Sequence, residues 1–86
     1  MPSNNIEIKT INKHCSVFID NTNHTKTVYS YDEPVCYVDA LERLYRIKNK
    51  FGITQTTRKD INKATGKQLT TIEIYKLPTR IVVKIL

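Results

Sequence analysis

DALERLYRIKNKFG, residues 39–52, is the stretch on which the fold turns. Read as a helix it has a start and a stop: Asp39 as N-cap, Glu42 three residues on to complete a capping box, and Gly52 to end it. Between them Ala40, Leu44, Ile47 and Phe51 fall on a stripe with helical spacing. Read as a turn and a strand, Tyr45, Ile47, Asn49, Phe51 and Ile53 alternate across a sheet. The spacing by itself favours the helix.

On the N-terminal side the reading is simpler. IEIKTI (6–11) sets Ile6 and Ile8 against Glu7 and Lys9, and CSVFI (15–19) sets Val17 and Ile19 against Phe18, both with a period of two. Asp20-Asn21-Thr22-Asn23 is turn chemistry, because these side chains bond nearby backbone. KTVYSY (26–31) alternates again, Pro34 fits a strand entrance, and VCYV (35–38) is a short strand. Consecutive short strands joined by polar turns predict an antiparallel meander.

On the C-terminal side, Thr57 with Asp60 three residues later has the form of a capping box. Ile61 and Ala64 then give a sparse apolar seam and Gly66 stops the chain, so a mostly polar helix is expected over 56–65. TIEIYK (71–76) and RIVVKI (80–85) alternate like the two strands of a final hairpin around Leu77-Pro78-Thr79. The expected fold is α+β: a small antiparallel β-sheet with one short helix packed on it, a single domain over 1–86. The predicted core is Ile8, Val17, Ile19, Val28, Val35, Val38, Ile61, Ile72, Ile74, Ile81 and Val83. A chain of 86 residues buries only about 60–65% of its extended surface, so pairing with a second copy would thicken a thin core.

The net charge of +6 is uneven: residues 1–40 carry −2 and residues 41–86 carry +8. Arg43, Arg46, Lys48, Lys50, Arg58, Lys59, Lys63 and Lys67 crowd into one segment, the candidate surface for nucleic acid or an acidic partner. Gln55, Thr56 and Thr57 mark the expected helix start. Gln and Arg can bridge base edges, and Thr and Lys can bond phosphate. Were 39–52 helical, LYRIKNKFGITQTTRKDIN (44–62) would have the outline of a helix-turn-helix, and the chain that of a sequence-specific DNA-binding regulator. The outline fits poorly, since Thr57 or Arg58 stands where the second helix needs an inward apolar residue, and Lys48 stands where the helices should touch.

Two segments carry a resemblance. SYDEPVCYVD (30–39) and QTTRKDINK (55–63) resemble a family of short phage- and plasmid-encoded proteins with a Tyr-Asp-Thr-Pro-Val-like strand and a Ser-x-Thr-Thr-x-Lys-His-Ile-Asn helix start. Tyr31, Asp32, Pro34 and Val35 match the first; Thr56, Thr57, Lys59, Ile61 and Asn62 match the second. Thr54 stands where that family has serine, Glu33 replaces threonine and Asp60 replaces histidine. The resemblance spans residues 29–63 and implies a strand over Leu44–Lys48 followed by a threonine-capped helix. It implies no catalytic residue.

Chemistry beyond binding finds little support. His14 and His24 sit in or beside polar turns without an evident orienting partner for general-base work. Cys15 and Cys36, the only cysteines, lie in apolar runs and read as small buried hydrophobes. Together with the histidines they lack metal-ligand spacing. With only Gly52 and Gly66 there is no phosphate-cradling loop, so no enzyme, cofactor, metal or small-molecule substrate is expected. MPSNNIEIK opens without an apolar signal region, and no run reaches the roughly 18 residues of a membrane span. The expected protein is therefore a non-enzymatic binder in the (host) cytoplasm. It would engage a host nucleoprotein complex or nucleic acid, as a host-defence inhibitor such as an anti-CRISPR would. The alternatives are the DNA-binding regulator and a structural homo-oligomer, with a homodimer compatible with each.

Overall fold

The computed structural model describes residues 5–48 and 52–81. Five strands come first: β1 (Ile6–Asn12), β2 (Cys15–Asp20), β3 (Thr25–Ser30), β4 (Glu33–Val38) and β5 (Leu44–Ile47). Helices α1 (Gln55–Thr65) and α2 (Thr71–Tyr75) and a short β6 (Thr79–Arg80) follow. The strands stand in the sheet in chain order, β1 to β5 antiparallel, with β6 added parallel to β5. A parallel neighbour needs a crossover, and the two helices supply it. The expected α+β architecture and meander are present, with a second helix that the sequence reading missed.

Residues 44–47 are extended, which removes the first helix of the helix-turn-helix outline. The reason lies at Asp39. Its carboxylate does accept backbone N–H groups, as a cap would, but from Leu41 (2.9 Å) and Arg43 (2.8 Å) across a tight loop. Its second oxygen takes the Arg43 Nε–H (2.9 Å) and the Tyr45 hydroxyl (3.1 Å). Burial works against this carboxylate's charge, yet the donors from Arg43, Tyr45 and Leu41 outweigh it and hold the group below the usual range. Glu42 completes no capping box; it sits in the left-handed region at φ 63°. The chain thus reverses and pairs β5 with β4, Tyr37 opposite Tyr45.

The caps also fall elsewhere than the spacing suggested. Thr54, not Thr57, caps α1, its Oγ1 accepting the Thr57 N–H at 3.1 Å. Thr57 and Asp60 are buried on the inner side of the helix. Gly66 ends it as expected, in the left-handed region at φ 73°, donating to the Asn62 carbonyl. Asn62 then holds the following loop, exchanging two 2.9 Å bonds with the Leu69 backbone. The expected strand at 71–76 is α2. Thr70 and Glu73 form a complete capping box, with the Thr70 N–H donating to Glu73 Oε1 (2.8 Å) and the Glu73 N–H to Thr70 Oγ1 (3.2 Å). A five-residue helix cannot stand alone; this one is held by Ile74, which is fully buried.

The core lies between the helices and one face of the sheet. Cys15, Val17, Val28, Val35 and Cys36 from the strands meet Ile61 of α1 and Ile74 of α2. Of the predicted core, Val17, Val28, Val35, Val38, Ile61 and Ile74 are buried and Ile19 half-buried. Three are not. Ile8 is 62% exposed because β1 pairs with Lys9 opposite Val17, which sends Glu7 and Lys9 to the helix side and Ile8, opposite Phe18, to the other. Ile72 (68%) turns outward because α2 is a helix, and Ile81 (85%) follows a strand that pairs with β5 and not with residues 71–76. Val83, like most of the expected strand 80–85, lies outside the described residues.

Candidate functional site

Both helices pack on one face of the sheet, through Ile61 and Ile74. Among the described residues no helix packs on the other face over β1 to β3. Strand register places Ile8, Phe18, Thr27, Tyr37 and Tyr45 in a row across this open face, with Thr10, Ser16 and Tyr29 on it as well. The rings group in pairs: Phe18 and Tyr29 with centroids 4.7 Å apart, Tyr37 and Tyr45 6.0 Å apart. The Arg80 guanidinium lies 4.1 Å from the Tyr37 ring centre. Where β1 to β3 end, the face deepens into a groove of about 640 Å³ lined by Ile8, Phe18, Tyr29, Tyr31, His14 and Lys13, among others.

Tyr31 at its rim is the strained residue of the site. It and Asp32 form the two-residue turn between β3 and β4, both with positive φ (52° and 63°). Glycine and asparagine are the residues that take such a turn without cost; a tyrosine there costs about 1–3 kcal/mol. The Tyr31 N–H donates to the His14 carbonyl at 2.8 Å, and the ring stacks flat on the His14 imidazole, centroids 4.5 Å apart and 7° from parallel. The outcome is an exposed aromatic plane held at the groove's edge.

Beneath this stack is a buried polar cluster. The Ser30 hydroxyl donates to Asp60 Oδ2 at 2.8 Å, and His14 Nε2 lies 3.2 Å from the same oxygen. The imidazole contact is off the line of a hydrogen bond, so Nε2 has no aligned acceptor there. His14 therefore does have a carboxylate beside it, supplied from far along the chain. The order is nevertheless wrong for nucleophilic catalysis: the base must stand between nucleophile and carboxylate, and here the carboxylate stands between serine and imidazole. The cluster fastens α1 to β3 and to the turn between β1 and β2. Cys15, whose thiol points at the Asp60 carbonyl from 4.0 Å, is pushed up to about 11 by burial and by the Asp60 charge, with Lys63 opposing. Cys36 is also pushed up to about 11 by burial, against N–H donors from Tyr45 and Tyr37. Both thiols are free and buried. Among the described residues no three of His, Cys, Asp and Glu are arranged to hold a metal ion.

The pattern of a family of unknown function, DUF8033, matches residues 3–79 of this chain. The chain belongs to that family. No curated protein and no solved structure matches it. The matched residues include strands β1 to β5, the residues that line the groove and both helices.

The residues singled out for binding are placed as follows. Lys59 and Lys63 are exposed one turn apart on α1, on the side away from the sheet, and Gln55 shares their face. Thr56 is exposed at the helix start, whereas Thr57 is buried and bonded to Thr54, at the edge of a hollow it lines with Thr54 and Thr56. Arg58 is half-buried. Lys67 is exposed just beyond Gly66 and borders a small hollow with Lys26 and Glu42. Arg43 is spent on Asp39 in the loop between β4 and β5. Arg46 is half-buried with its guanidinium 5.0 Å from the Tyr75 ring centre. Lys48 is exposed and Lys50 lies outside the described residues. The structure brings Lys59 and Lys63 together. The aromatic groove on the opposite side escaped the sequence reading, although the alternation of Phe18, Tyr29, Tyr37 and Tyr45 within strands carried its signal.

Proposed function

We propose that this DUF8033 protein is a non-enzymatic binding protein that takes up single-stranded nucleic acid on the open face of its sheet. The observation that carries the reading is the row of half-exposed rings across adjacent strands of an uncovered antiparallel face. Bases stack on such rings whatever their identity. The Tyr31 plane at the groove's rim offers a further stacking surface, while Lys13 beside the groove, Arg80 over Tyr37 and the net charge of +6 suit a phosphate backbone. Free buried thiols fit a reducing compartment, so the cytoplasm is the proposed location. No helix among the described residues is long and apolar enough to cross a membrane.

Fluorescence anisotropy with a labelled oligothymidylate tests the reading. Phe18→Ala and Tyr31→Ala should each weaken binding by about 1–3 kcal/mol, and affinity should fall as salt rises. Lys59→Ala with Lys63→Ala, on the far side, should do much less. Absence of binding near about 50 mM salt, or binding indifferent to the aromatic variants, refutes it.

A second reading rests on the outer face of α1. Lys59 and Lys63, with Lys67 beyond the cap, present positive charge on a rigid element and favour an acidic surface of a host nucleoprotein. The inhibitor role expected from small size, a basic surface and the resemblance to mobile-element proteins belongs to this reading. Capture of one host complex that survives nuclease and disappears in the Lys59→Ala, Lys63→Ala variant would favour it over the sheet face.

A further inference from the structure

β1 is the outer strand of the sheet, and among the described residues β2 is its one strand neighbour. Ile6 to Thr10 are all exposed, contain no proline and run without a bulge. The protection such an edge carries against pairing is its two charges, Glu7 and Lys9, and a partner strand that sets opposite charges against them would cancel it. The edge's chemistry alternates: Ile6 and Ile8 lie on the open face, Glu7 and Lys9 on the helix side.

The ladder fixes which backbone groups are on offer. The Asn21 N–H donates to the Asn5 carbonyl at 2.9 Å. By the alternation of an antiparallel pair, Asn5, Glu7 and Lys9 then turn their backbone groups to β2, while Ile6, Ile8 and Thr10 turn theirs outward. A second strand can dock only where outward groups meet outward groups. For a second copy of β1 lying antiparallel across a two-fold axis, three central registers satisfy this. Centred on Glu7, that residue opposes itself; centred on Lys9, the lysine opposes itself. Centred on Ile8, Glu7 of each copy opposes Lys9 of the other, Ile8 opposes Ile8, and Ile6 opposes Thr10. Only this register pairs unlike charges. Glu7 already accepts from Asn21 through Oε1 (2.6 Å), which orients the carboxylate and leaves Oε2 to meet the lysine.

The geometry points to a homodimer closed by β1 pairing with β1 of a second copy, in the register centred on Ile8. The pairing is isologous and joins the two open faces into one surface, with Ile8 and Phe18 of both copies at its middle. It stands independently of what ligand that surface takes.

Sedimentation equilibrium of the full chain tests it, reading mass between 10.0 kDa and twice that value. The wild type should dimerise reversibly. Glu7→Lys and Lys9→Glu each set like charges opposite one another at two places and should weaken the dimer by about tenfold to a hundredfold. An equimolar mixture of the two variants should recover wild-type association, because lysines of one chain then face glutamates of the other. Circular dichroism melts check that each variant is folded. A wild type that stays monomeric to about 500 µM, well above any functional affinity, overturns the proposal. So do variants that dimerise undiminished, or a mixture that fails to recover.

Discussion

Ile72 and Ile74 give a sharp test of the helix that replaces the expected final hairpin. In a strand the two side chains share a face and would be equally buried. In α2 they stand about 200° apart, and Ile74 is fully buried while Ile72 is 68% exposed. Ile74→Ala removes three carbons from the contact between α2, α1 and the sheet. At about 0.8 kcal/mol for each buried methylene the transfer loss is about 2.4 kcal/mol. The cavity left in a fully packed site raises it to about 3–4 kcal/mol. Ile72→Ala, mostly in water, should cost less than about 0.5 kcal/mol. Urea unfolding followed by circular dichroism reads both, and for a domain of this size the first should lower Tm by about 15–25 °C. Equal destabilisation by the two variants would refute the helical placement of residues 71–75.

Two further outcomes follow from buried groups. Asp60→Ala strands the buried Ser30 hydroxyl and should cost about 1–3 kcal/mol; combining it with Ser30→Ala should cost clearly less than the sum of the singles, read as a double-mutant cycle in urea. Cys15 and Cys36, both pushed up to about 11, should resist alkylation at pH 8 in the native protein and react readily once unfolded. Because these native values lie above those of the unfolded thiols, the associated stability is intact below about pH 8.5 and is lost as pH climbs toward 11, which denaturation at stepped alkaline pH would show.

Much of the fold was legible because period-two alternation and turn chemistry agree in residues 6–38. Asp20 illustrates this: its carboxylate takes the Thr22 and Asn23 N–H groups, as the turn sequence promised. What alternation cannot say is which face is inside. Ile8 reads as core because it is apolar, and the pairing of Lys9 with Val17 sends it to the other side. Capping was visible but ambiguous, since Asp39, Thr57 and Thr70 each precede an acidic residue by three. Only Thr70 closes a capping box with that residue, and there the alternating Ile72-Glu73-Ile74 masked it. The site was less legible than the fold. The run of basic residues points to α1, whereas the open aromatic face exists only because four strands, β2 to β5, align their rings, and the His14–Asp60–Ser30 cluster only because α1 crosses the sheet.

That crossing also sets the order in which the molecule can assemble. Each of β1 to β5 pairs with its immediate neighbour in the chain, so the meander can zip from one hairpin to the next with little loop entropy to overcome. The contacts of Asp60 with Ser30 and Cys15 span 30 and 45 residues, and the greater loop-closure entropy predicts that they form late, once the sheet is there to receive α1. Interactions made after the rate-limiting step govern how fast a protein comes apart and not how fast it forms. The residues that lock the helical layer down are therefore the keepers of its lifetime: loosening them should shorten the native state's survival while leaving the speed of folding almost untouched.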